Sequence, residues 1–501
     1  MSEILLTTLN ARYIHSSLGL RYLHANMGEL EGRTVIREFN INQRPLDIAE
    51  ALLSDSPRII ALAVYVWNAR ECADLVALLK TIAPEVVIVL GGPEVSHEWE
   101  EQSIVAQADY LITGQADLAF AALCRQLLSN APPSERILHA PTPHPDELVL
   151  PYHLYNDEDI HQRVVYVEAS RGCPFRCQFC LSALDKTAVP FALEPFLAAM
   201  DKLYQRGLRH FKFIDRSFNL SVQHSRAILE FFLARMDEEL FLHFELIPDR
   251  LPEALREVIA RFPAGSLQFE IGIQSMNPEV QQRIERKQQM ARSEANLRWL
   301  REHSHAHLHV DLIFGLPGED MASLAVGFNR LWALHPHEIQ LGLLKRLRGA
   351  PIAVHQQPFA MRYMPQPPYT ILATADLGFT QMQRLARMAR YWDLIANSGR
   401  FAHSLPLLLG ENPFQRFLTL SDWLYATTAQ THRFRLPRLF ALLYQGLCGP
   451  LQCEPEQAAA ALHRDYQRSG HKGALQLTLP QGQRNTTSAA QRQRRHLEIT
   501  E

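Results

Sequence analysis

The sequence lacks any run of apolar residues long enough to cross a bilayer, although 47% of its 501 residues are hydrophobic. It also lacks a strong charge of either sign, since 50 lysines and arginines face 53 aspartates and glutamates and the net charge is −3. The first absence argues against a membrane-spanning helix, and the second against a global field that attracts nucleic acid. The length predicts two or three domains.

Cysteine is scarce, with seven in the chain. The first residues, 1–9, lead straight into a strand pattern and do not resemble a signal peptide, so we expect a reducing compartment, a cytoplasmic location and no disulfide framework. Four of the cysteines share no spacing and are interpreted as ordinary thiols: Cys72, Cys124, Cys448 and Cys453.

The other three cysteines stand close together as C-x3-C-x2-C, at Cys173, Cys177 and Cys180. Three thiolates from one loop can hold three irons of a cubane 4Fe–4S cluster and leave the fourth iron open to a small molecule. A zinc site normally needs four ligands, and no further cysteine or histidine nearby completes this set. The sequence therefore predicts a cluster with one open iron.

Residues 1–130 alternate between apolar strand-like runs and amphipathic helical stretches, which predicts an α/β domain with a doubly wound, Rossmann-like parallel sheet. Ligands of such sheets bind at the carboxyl ends of the strands. Six prolines fall between Pro132 and Pro151, so residues 131–158 are predicted to be a linker.

The alternation resumes from Val164 and gives six β/α units over residues 159–345. Six units are too few for a closed (β/α)8 barrel and predict a partial, TIM-like (β/α)6 barrel. Polar residues interrupt the apolar strands near their carboxyl ends, where a polar ligand would bind, because buried carboxylates and amides are costly without partners. These residues are Asp215, Glu245, Glu270, Gln274 and Asp311.

The cysteine motif, the run Glu270–Ser275 and the run Asp311–Glu319 together resemble the shared core of the Elp3/HemN/MiaB-type enzymes of the radical S-adenosylmethionine (radical SAM) superfamily. The resemblance covers roughly residues 160–345. It implies a 4Fe–4S cluster on the three cysteines, S-adenosylmethionine as the second cofactor, and a reductant such as flavodoxin or ferredoxin. The residues that it implies for S-adenosylmethionine are Phe179, Asp215, Glu245, Gln274, Arg286, Asp311 and Leu316.

The loops of the first domain resemble the cobalamin-binding domain that precedes the cluster motif in one branch of this superfamily. The run Gly91-Gly92-Pro93 matches that branch, whereas Gly114-Gln115-Ala116-Asp117 departs from its usual Gly-Glu-Gly-Glu. His15 lies near the position of a cobalt ligand but out of the usual frame. Two interpretations stay open: a cobalamin site at His15, Gly91, Gly92 and Gly114, or a degenerate domain kept as a structural or substrate-binding half.

Residues 346–474 change character and predict a mainly helical C-terminal domain, which resembles an uncharacterised domain appended to some cobalamin-type radical SAM proteins. Residues 475–501 are rich in glutamine and arginine and are predicted to be disordered. This region contains no motif that names a substrate.

The resemblance implies an enzyme that cleaves S-adenosylmethionine reductively to methionine and a 5′-deoxyadenosyl radical, with methyl transfer through cobalamin as one outcome. Two alternatives remain open: an iron–sulfur electron-relay protein with a vestigial barrel, and a transfer-RNA-modifying enzyme of the Elp3/MiaB type. The basic run Lys345, Arg346 and Arg348 keeps the second alternative open.

Overall fold

The computed structural model describes residues 3–470 and 475–477, and its chain divides between Leu385 and Ala386 into two units. The first unit contains two parallel six-stranded sheets. The second unit is helical. The predicted disordered tail, 475–501, lies outside the described residues apart from 475–477.

The first sheet consists of strands β1 Ile4–Asn10, β2 Thr34–Asn40, β3 Ile59–Ala63, β4 Val87–Gly91, β5 Tyr110–Gly114 and β6 Ile137–Ala140. Its helices are α1 Leu18–Ala25, α2 Pro45–Leu53, α3 Ala69–Ile82, α4 Ser103–Gln107 and α5 Ala119–Leu128. All strand pairs are parallel, and the order is β2-β1-β3-β4-β5-β6. The order reverses between β1 and β3, which opens a crevice at the carboxyl ends of the strands.

This sheet is buried on both faces, as its continuous apolar strands predict. Leu5 and Leu9 of β1 belong to one hydrophobic core, and Ile4 and Leu6 belong to the core on the other face. The predicted doubly wound domain is therefore confirmed.

The structure differs from the expected linker in one respect. Strand β6 lies within 131–158 and pairs in parallel with β5, from Leu111 opposite Ile137 to Gly114 opposite Ala140. Strand β6 was not predicted because it has only four residues and lies in a proline-rich segment, where so short an apolar run does not indicate a strand.

The second part of the first unit contains strands β7 Val165–Val167, β8 Ser170–Gly172, β9 Ala188–Pro190, β10 His210–Phe213, β11 Phe241–Leu246, β12 Leu267–Gln274, β13 His307–Phe314 and β14 Glu338–Leu343. Its helices are α6 Asp157–Gln162, α7 Leu193–Gln205, α8 Val222–Leu233, α9 Glu253–Ile259, α10 Pro278–Arg283, α11 Met290–His303 and α12 Met321–Trp332. Strands β7, β10, β11, β12, β13 and β14 are neighbours in chain order and all parallel, which confirms the partial (β/α)6 barrel. Strands β8 and β9 form a separate antiparallel hairpin around the cysteine loop.

Strands β12 and β13 alternate strictly between buried and half-buried residues. Leu267, Phe269 and Ile271 are buried on one face of β12, whereas Glu270 and Gln274 share its other face. The polar residues of the barrel strands therefore share one side of the sheet.

The rest of the described chain contains hairpin strands β15 Arg362–Tyr363 and β16 Ile371–Ala373, and helices α13 Phe379–Ile395, α14 Leu405–Leu409, α15 Pro413–Thr428, α16 Leu436–Cys448 and α17 Pro455–Arg468. In the second unit the buried carboxylate of Asp465 accepts hydrogen bonds from the backbone of His403 and Ser404 and from the Ser404 hydroxyl, at 2.7–2.9 Å. No helix among the described residues is long and apolar enough to span a membrane.

Candidate functional site

The three motif cysteines line one cavity of about 210 Å³ beside the carboxyl ends of β11, β12 and β13. Cys173 and Cys177 are buried, and Cys180 is half-buried. Three thiols that line one cavity can hold three irons of a 4Fe–4S cluster, whereas a zinc site normally needs four protein ligands.

The cysteine loop is fixed by backbone contacts at both ends. Gly172 has a φ of +88°, and a Cβ there would lie 2.1 Å from the carbonyl oxygen of Thr187 on the other arm of the hairpin. Further along, the amide of Gln178 donates to the Ile284 carbonyl at 2.9 Å, and the Gln178 carbonyl accepts from the Ile352 amide at 2.7 Å. The loop therefore presents its three sulfurs from a rigid frame.

A cation lies against this sulfur set. Arg286 donates from Nη1 to the Sγ of Cys177 at 3.4 Å and from Nη2 to the carbonyl of Gly272. Burial raises the pKa of the Cys177 thiol, and the Arg286 guanidinium acts in the opposite direction, because it favours a thiolate.

Five of the seven residues that the resemblance implies for S-adenosylmethionine line the same cavity as the cysteines: Phe179, Glu245, Gln274, Arg286 and Asp311. Gln274 reaches it through a local irregularity of β12. Its φ is +69°, and the register against β13 shifts between Gly272 and Gln274. A Cβ on Gly272 would lie 2.4 Å from Nε2 of Gln274, so glycine leaves the space that this side chain uses.

The carboxylates of the cavity differ sharply in their affinity for a proton. Burial, with the neighbouring charges of Glu270 and Glu245, raises the pKa of Asp311 to about 8. His243, 3.1 Å from Glu270, lowers the pKa of Glu270 to about 2. A cationic ligand beside Asp311 would favour the ionised form of this carboxyl group, and the resulting negative charge would strengthen binding of the ligand.

Two of the expected residues do not line this cavity. Asp215 accepts hydrogen bonds from the Ala169 amide at 2.9 Å and from the Ser170 hydroxyl at 2.7 Å, and it borders a separate small cavity. Burial raises its pKa to about 7. The Leu316 side chain is fully buried, whereas the resemblance implies a contact with the adenine through the backbone near Leu316. That contact stays a prediction.

Arg216 is a cavity residue that sequence reasoning missed. Its Nη1 lies 3.1 Å from Oε1 of Glu245, and its side chain is 57% exposed. It lines the cluster cavity and also a second cavity of about 390 Å³. The sequence feature that could have identified Arg216 is its position directly after Asp215, just beyond the carboxyl end of β10.

The second cavity lies at the carboxyl ends of β3, β4 and β5, in the crevice that the strand order predicts, and barrel residues close its other side. Its lining is mostly apolar and rich in small residues, which suits a broad, flat macrocycle. Gly91, Gly92 and Gly114 all line it. Gly92 and Gly114 have positive φ, and a Cβ would lie 2.5 Å from the Val64 oxygen or 2.7 Å from the Ala140 oxygen, so backbone packing alone requires both glycines.

His15 does not line the second cavity. Its Nδ1 lies 2.7 Å from the hydroxyl of Tyr166 on β7, and burial lowers its pKa. None of the described residues that line this cavity is a histidine. The residues present fit a corrin held by its edges rather than one ligated by His15.

The loop Gly114-Gln115-Ala116-Asp117, which departs from the usual Gly-Glu-Gly-Glu of cobalamin-binding domains, makes specific contacts in this structure. The Asp117 carboxylate binds Arg171 at 3.0 Å through both oxygens, and Arg171 also pairs with Glu168 at 2.9 Å. The Arg171 guanidinium lies 4.3 Å from the ring centre of Tyr22. Because Arg171 precedes Cys173 by two residues, this contact ties the loop after β5 to the cysteine loop.

Two residues of the basic run near position 346 are already paired. Arg346 contacts Glu98 at 2.8 Å, and Arg348 contacts Glu94 at 3.1 Å. The Tyr369 hydroxyl donates to Glu94 at 2.5 Å. These cations are therefore compensated by carboxylates, which weakens the argument for a nucleic-acid surface here.

Three family models match the chain along its length. The B12 binding domain model matches residues 4–124, the Radical SAM superfamily model matches residues 167–326, and a protein of unknown function model (DUF4080) matches residues 357–500. The first match covers the first sheet up to β5, and the second covers the barrel sheet up to β13. The third overlaps the region, 346–474, that resembles an uncharacterised C-terminal domain.

An uncharacterized methyltransferase of Pyrococcus horikoshii is 26% identical over 199 residues, which are 35% of this chain and 43% of that protein. The chain thus spans less than half the length of this curated relative.

Two solved structures share the fold. The radical S-adenosylmethionine methyltransferase TsrM from Kitasatospora setae, with tryptophan substrate and a SAM analog bound, has a TM-score of 0.60 and 16% identity, covering 84% of this chain and 95% of its own. The cobalamin-dependent S-adenosylmethionine radical enzyme OxsB, with aqua-cobalamin and S-adenosylmethionine bound, has a TM-score of 0.63 and 13% identity, covering 92% and 83%.

Proposed function

We propose that the chain is a radical SAM enzyme of the branch with a B12-binding domain, and that it cleaves S-adenosylmethionine reductively at a 4Fe–4S cluster. One observation carries the proposal. The three cysteines line the same cavity as Glu245, Gln274 and Asp311, so cluster ligands and polar groups for a second, zwitterionic ligand face one space. An electron-relay protein has no need of such a ligand cavity.

Cys173, Cys177 and Cys180 would hold the cluster in this proposal, beside the residues that bind S-adenosylmethionine. When bound, a cluster with one open iron would supply the electron for reductive cleavage of S-adenosylmethionine. Arg286 supports Cys177 through its contact with the sulfur.

The polar strand residues orient S-adenosylmethionine. Glu245 and Gln274 bind its ribose and methionyl parts, and Asp311 is charged when the ligand's cationic groups are near. Asp215 holds the start of the cysteine loop through Ala169 and Ser170, so we assign it to positioning of the loop and not to contact with the ligand.

We further propose that cobalamin binds in the second cavity and that the reaction is a methyl transfer. Cobalamin would supply the carrier of the methyl group. The apolar lining and the small residues of the crevice support this assignment, and His15 has no part in it because Tyr166 engages its ring. The substrate would then lie beside Arg216, which lines both cavities. The relatives support the reaction class, since TsrM is a methyltransferase and OxsB is cobalamin-dependent.

The experiment is anaerobic incubation of the reconstituted protein with dithionite and S-adenosylmethionine, followed by quantification of 5′-deoxyadenosine and methionine. We expect both products, and none from Cys177→Ala. Cys448→Ala is the matched control, because Cys448 lies on α16 in the second unit. A protein that retains its cluster but forms no 5′-deoxyadenosine would contradict the proposal. Retention of cobalamin through gel filtration tests the second cavity separately.

A further inference from the structure

A third cavity opens beside the cluster cavity and is not used by the proposed reaction. It is an open cleft of about 900 Å³ between the loops that follow β10, β11 and β12. Phe175, Asp249, Lys287 and Gln288 line both this cleft and the cluster cavity. Phe175 lies inside the cysteine motif, two residues from both Cys173 and Cys177, so the cleft reaches the outer side of the cysteine loop.

The cleft has a strong positive charge in a chain whose net charge is −3. Four cations line it, Arg250, Lys287, Arg292 and Arg256, against one carboxylate, that of Asp249. The Asp249 carboxylate accepts a hydrogen bond from the Gln289 amide at 2.9 Å.

Three of these cations are exposed and uncompensated. Arg250, Lys287 and Arg292 have no carboxylate within 4 Å among the residues that the structure describes, whereas Arg256 donates to the Asn296 side chain at 2.7 Å. The Arg250 guanidinium lies 5.9 Å from the ring centre of Phe175. Exposed charges of one sign around an opening raise the association rate of a partner of opposite sign.

The three cavities lie in series. Arg216 is the one described residue shared by the crevice of the first sheet and the cluster cavity, and the crevice and the basic cleft share none. The crevice side is where cobalamin and substrate meet S-adenosylmethionine in the proposed reaction. The basic cleft therefore borders the cluster on a side that a substrate does not need.

We propose that this basic cleft is the docking surface for an acidic electron-transfer protein that reduces the cluster. One electron leaves the donor and enters the cluster, and no bond forms or breaks. The open shape and the exposed cations match the small, polar and transient interfaces of redox encounters. This inference rests on the proposed function, because it needs a cluster on the three cysteines.

The first test measures binding without turnover. Oxidised flavodoxin, an acidic probe, is titrated into the full-length, cluster-loaded chain by calorimetry at low and high salt. The double variant Arg250→Glu/Arg292→Glu should weaken binding about tenfold or more at low salt and reduce its salt dependence. Neither arginine lines the cluster cavity. The control variant is Arg70→Glu, because Arg70 is an exposed arginine on α3 that does not line the cleft. This variant should leave binding unchanged.

The second test follows the bleaching of cluster absorbance. Reduced flavodoxin should reduce the double variant more slowly than the native chain, whereas dithionite at about 0.5 M salt, where the charges are screened, should reduce both equally. Iron content checks that each variant holds its cluster, and Arg250→Gln/Arg292→Gln replaces any variant that does not.

Unchanged flavodoxin affinity and unchanged reduction by flavodoxin in an iron-replete variant would overturn the proposal. It would also fail if inorganic phosphate bound the cleft in an arginine-dependent way while flavodoxin did not bind at all, since the cleft would then be a small-anion site. Failure of the proposed function shows up differently, as cluster reduction by dithionite without cleavage of S-adenosylmethionine.

Discussion

Gln274 is placed in the cluster cavity by its backbone and by the absence of a side chain on Gly272. The sequence indicated that Gln274 interrupts an apolar strand, and in the structure Gln274 is half-buried at the end of β12. The positive φ and the register shift were not visible in the sequence, because a glutamine carries no mark of left-handed backbone.

Replacing Gln274 by alanine should lower the affinity for S-adenosylmethionine about tenfold, by loss of a polar contact in a desolvated site, and leave the iron content unchanged. Equilibrium binding to the reconstituted protein measures the affinity. Gln268→Ala is the matched control, because Gln268 lies on the same face at the other end of the same strand. Equal affinities for the two variants would remove Gln274 from the site.

Glu319 is a buried carboxyl outside the cluster cavity. Its Oε1 accepts from the Ser275 hydroxyl at 2.5 Å, and burial raises its pKa from 4.5 to about 7. The folded protein therefore holds a proton that the unfolded chain releases as pH rises from about 4.5 to about 7. Stability attributable to this group falls over that window.

Glu319→Gln removes the titration and keeps an oxygen for Ser275. The variant should gain stability relative to the native chain as pH rises through this window, levelling off above pH 7 at on the order of 3 kcal/mol. Urea unfolding at several pH values measures the difference. A constant difference between pH 4.5 and pH 8 would show that Glu319 is ionised in the folded protein.

At the scale of elements, β8 and β9 pair on either side of the cysteine loop, and Gly172 packs closely against the Thr187 backbone. Gly172→Ala should lower stability by about 2 kcal/mol or more and reduce iron incorporation, since the Cβ would overlap the Thr187 carbonyl. Gly265→Ala is the control, because Gly265 has a similar φ of +85° and open space around it. Similar losses in both variants would assign the effect to backbone conformation alone.

The long elements were predictable from the sequence. Helices α2 and α3 and strand β2 follow local apolar spacing, and Pro45 in the first turn of α2 fixes where that helix begins. The short elements were not. Strand β6 and the hairpin of β8 and β9 hold three or four residues each, and their pairing depends on neighbours distant in sequence.

At the scale of the molecule, the sequence indicated two ligand sites but not how they connect. The cysteine spacing identified the three thiols, and the resemblance to the radical SAM core implied five further residues that line the same cavity. Arg216, Arg171 and its partner Asp117 belong to the junction of the two sheets, and only the folded chain brings them together. His15 was suggested as a cobalt ligand by its position in the sequence. In the structure its ring contacts the Tyr166 hydroxyl, and it does not line the crevice.

The most direct test of the central claim is electron paramagnetic resonance of the anaerobically reconstituted, dithionite-reduced protein, with and without S-adenosylmethionine. A cavity that joins the three cysteines to Glu245, Gln274 and Asp311 predicts a reduced 4Fe–4S signal that shifts when S-adenosylmethionine is added. A cluster signal indifferent to S-adenosylmethionine would favour an electron-relay protein, and the absence of a cluster signal would contradict the account.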